Sequence, residues 1–219
     1  MKEIISKIAS FVWDIPIEKT SSKQNEYLEV VWTNGRKMLN TKDANFSFGN
    51  GYKVFEKALS LISDEVHSSH RVLILGFGCG SILDLLEKKC RYAGEIHGVE
   101  YDPVIIDLYQ RHFASNYQNK PIISIDDAES FVSNSNQAFD IIFIDLFLEL
   151  ENSSLIFKTK FIEDTSRLLS DTGVLVFNTT NQSQDDQRRL TELMMSLGRK
   201  YKDVSKTVFQ DLNNIIIAK

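Results

Sequence analysis

The spacing of apolar positions changes near residue 60, and the change divides the chain into two stretches. In the first, Ile4, Ile5, Ile8, Phe11 and Val12 recur at helical spacing until Trp13-Asp14-Ile15-Pro16 interrupts them. Tyr27 to Trp32 and Arg36 to Leu39 read as strands flanking Thr33-Asn34-Gly35. Asn-Gly between two such runs predicts a hairpin, because a type I′ turn needs positive φ at both central residues. A loop with glycines and aromatics follows, Asn45-Phe46-Ser47-Phe48-Gly49-Asn50-Gly51. Val54, Phe55, Ala58, Leu59 and Ile62 then make one helical stripe.

From there the pattern alternates regularly. Strands are predicted at Val72–Leu75, Ile96–Val99, Ile122–Ile125, Ile141–Ile144 and Val174–Phe177, and helices between them at Ile82–Lys89, Pro103–Phe113, Ala128–Val132 and Phe161–Leu169. Near-continuous apolar runs such as IIFI and VLVF suit parallel strands covered on both faces. Gln187–Leu197 reads as a further helix, and Val204–Phe209 and Ile215–Ala218 as a terminal hairpin turning at Asn213-Asn214. The expected class is α/β: a Rossmann-like domain over residues 52–219, behind a β-hairpin extension over residues 1–51. Its mostly parallel seven-stranded sheet would close with an antiparallel hairpin, the element order of class I methyltransferase-type folds.

Composition narrows the function without choosing it. A chain of 219 residues with 42% hydrophobic residues has ample material for one buried core. Its net charge of -5 argues against a protein that holds nucleic acid by neutralising phosphates. Cys79 and Cys90 lack metal-type spacing and His67, His70, His97 and His112 are scattered, so no metal site is expected. Lys2, Glu3 and Lys7 break the N-terminal apolar run, and no run approaches bilayer length. The expectation is a cytoplasmic protein that acts on a small molecule, away from membranes.

The chemistry concentrates at predicted strand ends. RVLILGFGCGS runs from a buried strand through Gly76-Phe77-Gly78-Cys79-Gly80 into a helix, and Glu100 closes the next strand. Glycines let backbone approach a ligand, and an acid at the second strand end can accept hydrogen bonds from both hydroxyls of a ribose. NAD fits less well, because its fingerprint wants a third small residue where Ser81 or Leu83 stands. Asp127-Ala128 after the third strand is placed to meet an adenine amino group, and Asp145 ends the fourth strand, FDIIFID. Asp102 before Pro103 reads as a helix N-cap, and Asp126 as a solvated neighbour. Cys79 reads as a small turn residue, since no histidine partner for a nucleophilic thiol is identifiable.

VLILGFGCGS, HGVEYDPVIIDLYQRHF, IDDAESFV and FDIIFIDLF, in that order, resemble the spermidine synthase branch of the S-adenosylmethionine-dependent methyltransferase superfamily. The NGRKML hairpin is similar to that family's small β-domain. The resemblance implies a site for S-adenosylmethionine or its decarboxylated form. Gly76, Gly78 and Gly80 would line the methionine and ribose portion, Glu100 would hold the ribose, Tyr101 would pack beside the adenine, and Asp127 with Ala128 would meet the adenine edge. Asp145 would be the catalytic base, with Glu149 near the acceptor; Asn178, polar and just after the fifth strand, is placed either for substrate contact or simply in a loop. The resemblance also implies a small acceptor, an amine among the candidates, and a homodimer.

The chain departs from the polyamine enzymes at several acids. Cys79 replaces the acid of GGGDGG, Leu148 stands where D-S-S-D-P has its second acid, and no histidine matches the gating stretch near Gly49–Glu56. Buried cationic groups need compensating charge. Those losses favour methyl transfer to a small acceptor. The alternatives are a divergent aminopropyltransferase using Glu149 or Glu151, and a non-catalytic cofactor-binding protein.

Overall fold

The computed structural model describes residues 2–42, 47–148, 151–180, 183–210 and 213–219. At the N-terminal end, α1 (Lys2–Ala9) leads into an antiparallel sheet of β1 (Ile15–Thr20), β2 (Leu28–Thr33) and β3 (Arg36–Thr41), in the order β1-β2-β3. Asn34 and Gly35 take φ of 47° and 76°, and Thr33 pairs with Arg36, which is the expected tight hairpin. The extension is nevertheless a three-stranded sheet rather than a hairpin alone. The N-terminal helix ends before Trp13-Asp14-Ile15-Pro16, as expected, and Pro16 sits on an edge strand beside an irregularity in the β1–β2 register. There a missing N–H breaks no essential ladder bond.

The remaining elements are α2 (Asn50–Leu61), α3 (Ser63–Ser68), β4 (Arg71–Leu75), α4 (Ser81–Lys88), β5 (Glu95–Glu100), α5 (Pro103–His112), β6 (Ile122–Ile125), α6 (Ala128–Asn134), β7 (Phe139–Ile144), β8 (Phe147–Leu148), β9 (Glu151–Asn152), α7 (Thr159–Arg167), β10 (Leu169–Thr180), α8 (Gln184–Gly198), β11 (Val204–Phe209) and β12 (Asn213–Ala218). The main sheet has the order β11-β12-β10-β7-β4-β5-β6, with β12 antiparallel to both its neighbours and the other pairings parallel. Strand alternation divides the core into two layers. Val72, Ile74, Ile141, Phe143 and Val176 pack with α2, α4 and α5, while Leu73, Leu75, Ile142, Ile144 and Phe177 pack with α6, α7 and α8. Leu28, Val30 and Leu39 of the small sheet join the first layer.

One predicted turn moves. Asn213 and Asn214 lie inside β12, opposite Thr180 and Thr179 on β10 and Phe209 and Val208 on β11. Asparagine tolerates the left-handed region and so reads as a turn residue, but here ladder pairing on both sides holds the pair extended. A second feature is an uncovered apolar run: Ile4, Ile5, Ile8, Phe11, Val12 and Trp13 are each more than 60% exposed. Among the described residues, no helix is long and apolar enough to cross a membrane.

Candidate active site

Strand order reverses between β4 and β7, and in a sheet of this kind the crevice beyond the carboxyl ends at such a switch point is where ligands bind. The turn leaving β4 is fixed by its neighbours on both sides. Gly76 and Phe77 donate their N–H groups to the Val99 carbonyl of β5, each at 3.0 Å. Gly76 has φ of +86°, and a Cβ there would lie 2.2 Å from the Asp145 carbonyl oxygen. Its glycine is therefore demanded by the close passage of the β7 exit. Phe77 folds back into the core, across Gly98 and edge-on to Tyr109 at 5.0 Å.

Glu100 organises the β5 end. Its Oε2 accepts from Gly78 N at 2.9 Å and its Oε1 from Asp102 N at 3.1 Å. The side chain is buried, and burial pushes its carboxyl above the ordinary value while the backbone donors pull the other way. Asp102 caps α5 as expected, accepting from Val104 N at 2.9 Å, and also accepts from Ser22 Oγ and from Asn25 Nδ2. That ties the loop before β2 to the site. Cys79 is wholly buried: its N–H donates to Ser47 Oγ at 3.0 Å and its sulfur lies 3.8 Å from the Ile105 carbonyl. Burial, with the nearby Glu100 charge, pushes the thiol well above its ordinary value, so it is a packing group rather than a nucleophile.

At the ends of β5 and β6 the other predicted residues take distinct places. Tyr101 follows Glu100 and is 58% exposed, open to being covered by a ligand. Asp127 is the N-cap of α6, with Oδ1 accepting from both Glu129 N and Ser130 N. Ala128 is buried behind it, and Asp126 accepts from Asp127 N.

Asp145 leaves β7 with its N–H bonded to the Leu75 carbonyl at 2.9 Å, and its Oδ1 accepts from Asn178 Nδ2 at 2.9 Å. Burial, reinforced by the Glu100 charge and opposed by the Asn178 donor, pushes its carboxyl up to about 7. Asn178 is itself buried at the end of β10, and its Oδ1 accepts from Asn213 Nδ2 at 2.9 Å. Past Asp145, Leu146 packs on the core layer shared with α6, α7 and α8, and the chain makes the short β8–β9 hairpin. Asn152 clamps that hairpin to β10, donating to the Thr180 carbonyl at 2.9 Å and accepting from Thr180 N at 2.7 Å. Glu149 lies outside the described residues, as does Asn45.

Sequence reasoning missed Asn152, Asn213 and Ser47. Each acts through a contact remote in sequence, and the only local signal was their polarity beside apolar runs. Among the described residues no group of three His, Cys, Asp or Glu side chains could hold a metal. A hollow of about 570 Å³ bordered by Glu87, Arg91, Glu95 and Asn119 lies at the opposite, amino-terminal end of β5, away from this chemistry. What the crevice offers is a buried acid between two strand ends, a half-buried acid that gains its proton near neutrality, and an exposed aromatic.

Comparison with known proteins agrees with this architecture. Residues 55–211 match the family described as spermine/spermidine synthase domain. The polyamine aminopropyltransferase of Hamiltonella defensa subsp. Acyrthosiphon pisum (strain 5AT) is 34% identical over 113 residues, 48% of this chain and 38% of the relative. That of Sulfolobus acidocaldarius is 24% identical over 178 residues, 77% of this chain and 58% of the relative. The chain thus matches 38% and 58% of the length of these relatives, less than two thirds of either. Among solved structures, a spermidine synthase in complex with the transition-state analogue AdoDATO aligns with a TM-score of 0.66 at 15% identity, over 93% of this chain and 73% of that one. Human methyltransferase-like protein 13 in complex with SAH aligns with a TM-score of 0.63 at 16% identity, over 78% of this chain and 82% of that one. The fold is the Rossmann-like methyltransferase fold.

Proposed function

This chain belongs to the spermine/spermidine synthase family, and on that premise we propose that it is an aminopropyltransferase acting on a small amine. The observation that carries the reading is Asp145, a half-buried carboxyl held by Asn178 at the β7 end and pushed up to about 7. An amine nucleophile arrives protonated and must shed its proton, and a base that titrates near neutrality is suited to accept it. Decarboxylated S-adenosylmethionine is the donor we propose, and it supplies a methylene carbon activated by a sulfonium. The amine nitrogen bonds to that carbon as the carbon–sulfur bond breaks, methylthioadenosine leaves, and the amine proton passes to Asp145.

The rest of the crevice supports that donor. Glu100 presents a buried acid for ribose hydroxyls, the backbone of Gly76, Gly78 and Gly80 lines the turn, and Tyr101 with Asp127 and Ala128 borders the adenine. Each Glu100 oxygen keeps a further lone pair beside its bond from Gly78 N or Asp102 N, so ribose hydroxyls would donate there without displacing the backbone.

Methyl transfer, favoured by the missing acids, keeps one supporting observation: the turn carries the buried Cys79 where the polyamine enzymes have an acid. Incubating the protein with each donor form and a panel of mono- and diamines separates the readings. Aminopropyl transfer releases methylthioadenosine from the decarboxylated donor, and S-adenosylhomocysteine released from the carboxylated donor would replace it with methyl transfer. No product from either, with tight binding retained, leaves a cofactor-binding protein.

The uncovered apolar run on α1 and the segment after it carries six large side chains side by side in sequence, an exposed apolar patch of the kind that marks an association surface. We propose that it is the face of a homodimer, which sedimentation of the intact protein checks. Both cysteines are free thiols, in keeping with a reducing, cytosolic setting.

A further inference from the structure

Asn213 comes from the last strand of the sheet, yet its side chain reaches toward the reacting edge. Thr180 lies opposite Asn213 and Asn178 opposite Ile215, so Asn178 and Asn213 are diagonal neighbours on one face of the β10–β12 ladder. Their carboxamides meet with Asn213 Nδ2 donating to Asn178 Oδ1 at 2.9 Å, and Asn178 Nδ2 donating to Asp145 Oδ1 at 2.9 Å. We infer that Asn213 is a positioning residue of the proposed transferase site, locking the Asn178 carboxamide with its nitrogen toward Asp145. The inference rests on the reading of Asp145 as the base.

A carboxamide has two faces, and which one meets Asp145 decides what Asp145 can do. Nitrogen toward Asp145 stabilises a carboxylate, which is the form that accepts a proton. Oxygen toward Asp145 stabilises the protonated acid, which cannot accept one. Asn178 is 4% exposed, so water cannot supply either face with a substitute partner. The donor from Asn213 therefore breaks the tie, and it also polarises the chain so that Asn178 becomes the stronger donor. The charged group facing Asp145 is Glu100 on β5, which favours the protonated form. The neighbouring ends of β4, β10 and β12 present Gly76, Asn178 and Asn213, none of which titrates. Asn178 and its lock are what oppose the Glu100 charge and the burial.

The experiment reads Asp145 directly, by ¹³C NMR titration of its carboxyl in substrate-free protein, for wild type, Asn213→Ala, Asn178→Ala and the double variant. Losing the lock raises the Asp145 midpoint by roughly half a unit to one unit, and losing Asn178 raises it at least as far. Because Asn213 acts only through Asn178, the double variant matches Asn178→Ala. The acid limb of kcat/KM moves with the midpoint, so Asn213→Ala loses about three- to tenfold at pH 6.5 and recovers to within about twofold of wild type above pH 8.5. A merely structural Asn213 would lower activity equally at every pH and leave the midpoint in place. If the alanine variant does not fold, Asn213→Val keeps the strand preference while removing the donor. An unmoved midpoint in a folded variant, or a further shift in the double variant, overturns the lock. Should the protein transfer no aminopropyl group, the NMR titrations still decide the lock, whereas an unmoved midpoint with normal amine turnover overturns the lock alone.

Discussion

On the donor side of the crevice, Glu100 is gripped by the backbone N–H groups of Gly78 and Asp102, and the glycine turn is gripped by the Val99 carbonyl. On the acceptor side, Asp145 is held by the side chain of Asn178, 33 residues further along, which is held in turn by Asn213 after another 35. The difference teaches where such a site is free to diverge. Backbone bonds form with almost any side chain, so the proposed donor half would tolerate Cys79, which packs beneath the turn. The acceptor half depends on particular side chains converging from three strands, and its acids have changed. A shared donor with a changed acceptor is what that asymmetry permits.

Removing Asp145 tests the acceptor half most severely. Asp145→Asn lowers turnover by about 10²–10⁴-fold at saturating donor, measured as methylthioadenosine release, while donor binding stays near wild type. The same variant has a stability signature. The folded-state value of about 7 stands above the ordinary 3.8, so the folded protein holds this proton longer than the unfolded chain. The resulting stability is fully present below pH 4 and is lost as pH rises to about 7. Asp145→Asn lacks that slope and should exceed wild type at pH 8 by on the order of 2–4 kcal/mol in urea titrations. Burial raises Glu100 as well and leaves its own slope in both proteins, so a wild-type curve no steeper from pH 4 to 7 than that of Asp145→Asn would break the reading of Asp145 as the more burdened acid.

Gly76→Ala probes the seam between the halves. The added Cβ meets the Asp145 carbonyl in a positive-φ position, and the variant should lose about 2–4 kcal/mol by urea midpoint. Tyr101→Ala gives the smallest effect. Its ring is mostly exposed, so the variant should keep its stability while donor affinity falls a few-fold, about 1 kcal/mol, by calorimetry. An unchanged affinity would place the adenine away from Tyr101 and weaken the donor half.

Much of the fold is legible in local patterns. IIFI and VLVF became the central strands β7 and β10, Asn34-Gly35 became the tight turn, and Asp102 before Pro103 became the cap of α5. These features are settled by residues within a few positions of each other, whose period, steric range and capping chemistry act wherever the segment lies. Asn213-Asn214 misled because an isolated Asn pair favours a turn, and only pairing with both β10 and β11 draws it into a strand. Ser47 supporting Cys79, Asn152 clamping Thr180 and Asn213 locking Asn178 carried no local signal.

The amino-acid sequence by itself determined an α/β sheet, a glycine turn with Glu100 beyond it, and an acid at the fourth strand end. The tertiary structure alone decided that this acid is held by Asn178 of β10, itself bonded by Asn213 of β12, and titrates near neutrality. Periodicity and turn chemistry are short-range properties of the chain. Burial, Coulomb interaction and side-chain hydrogen bonding depend on which strands the folded sheet places side by side.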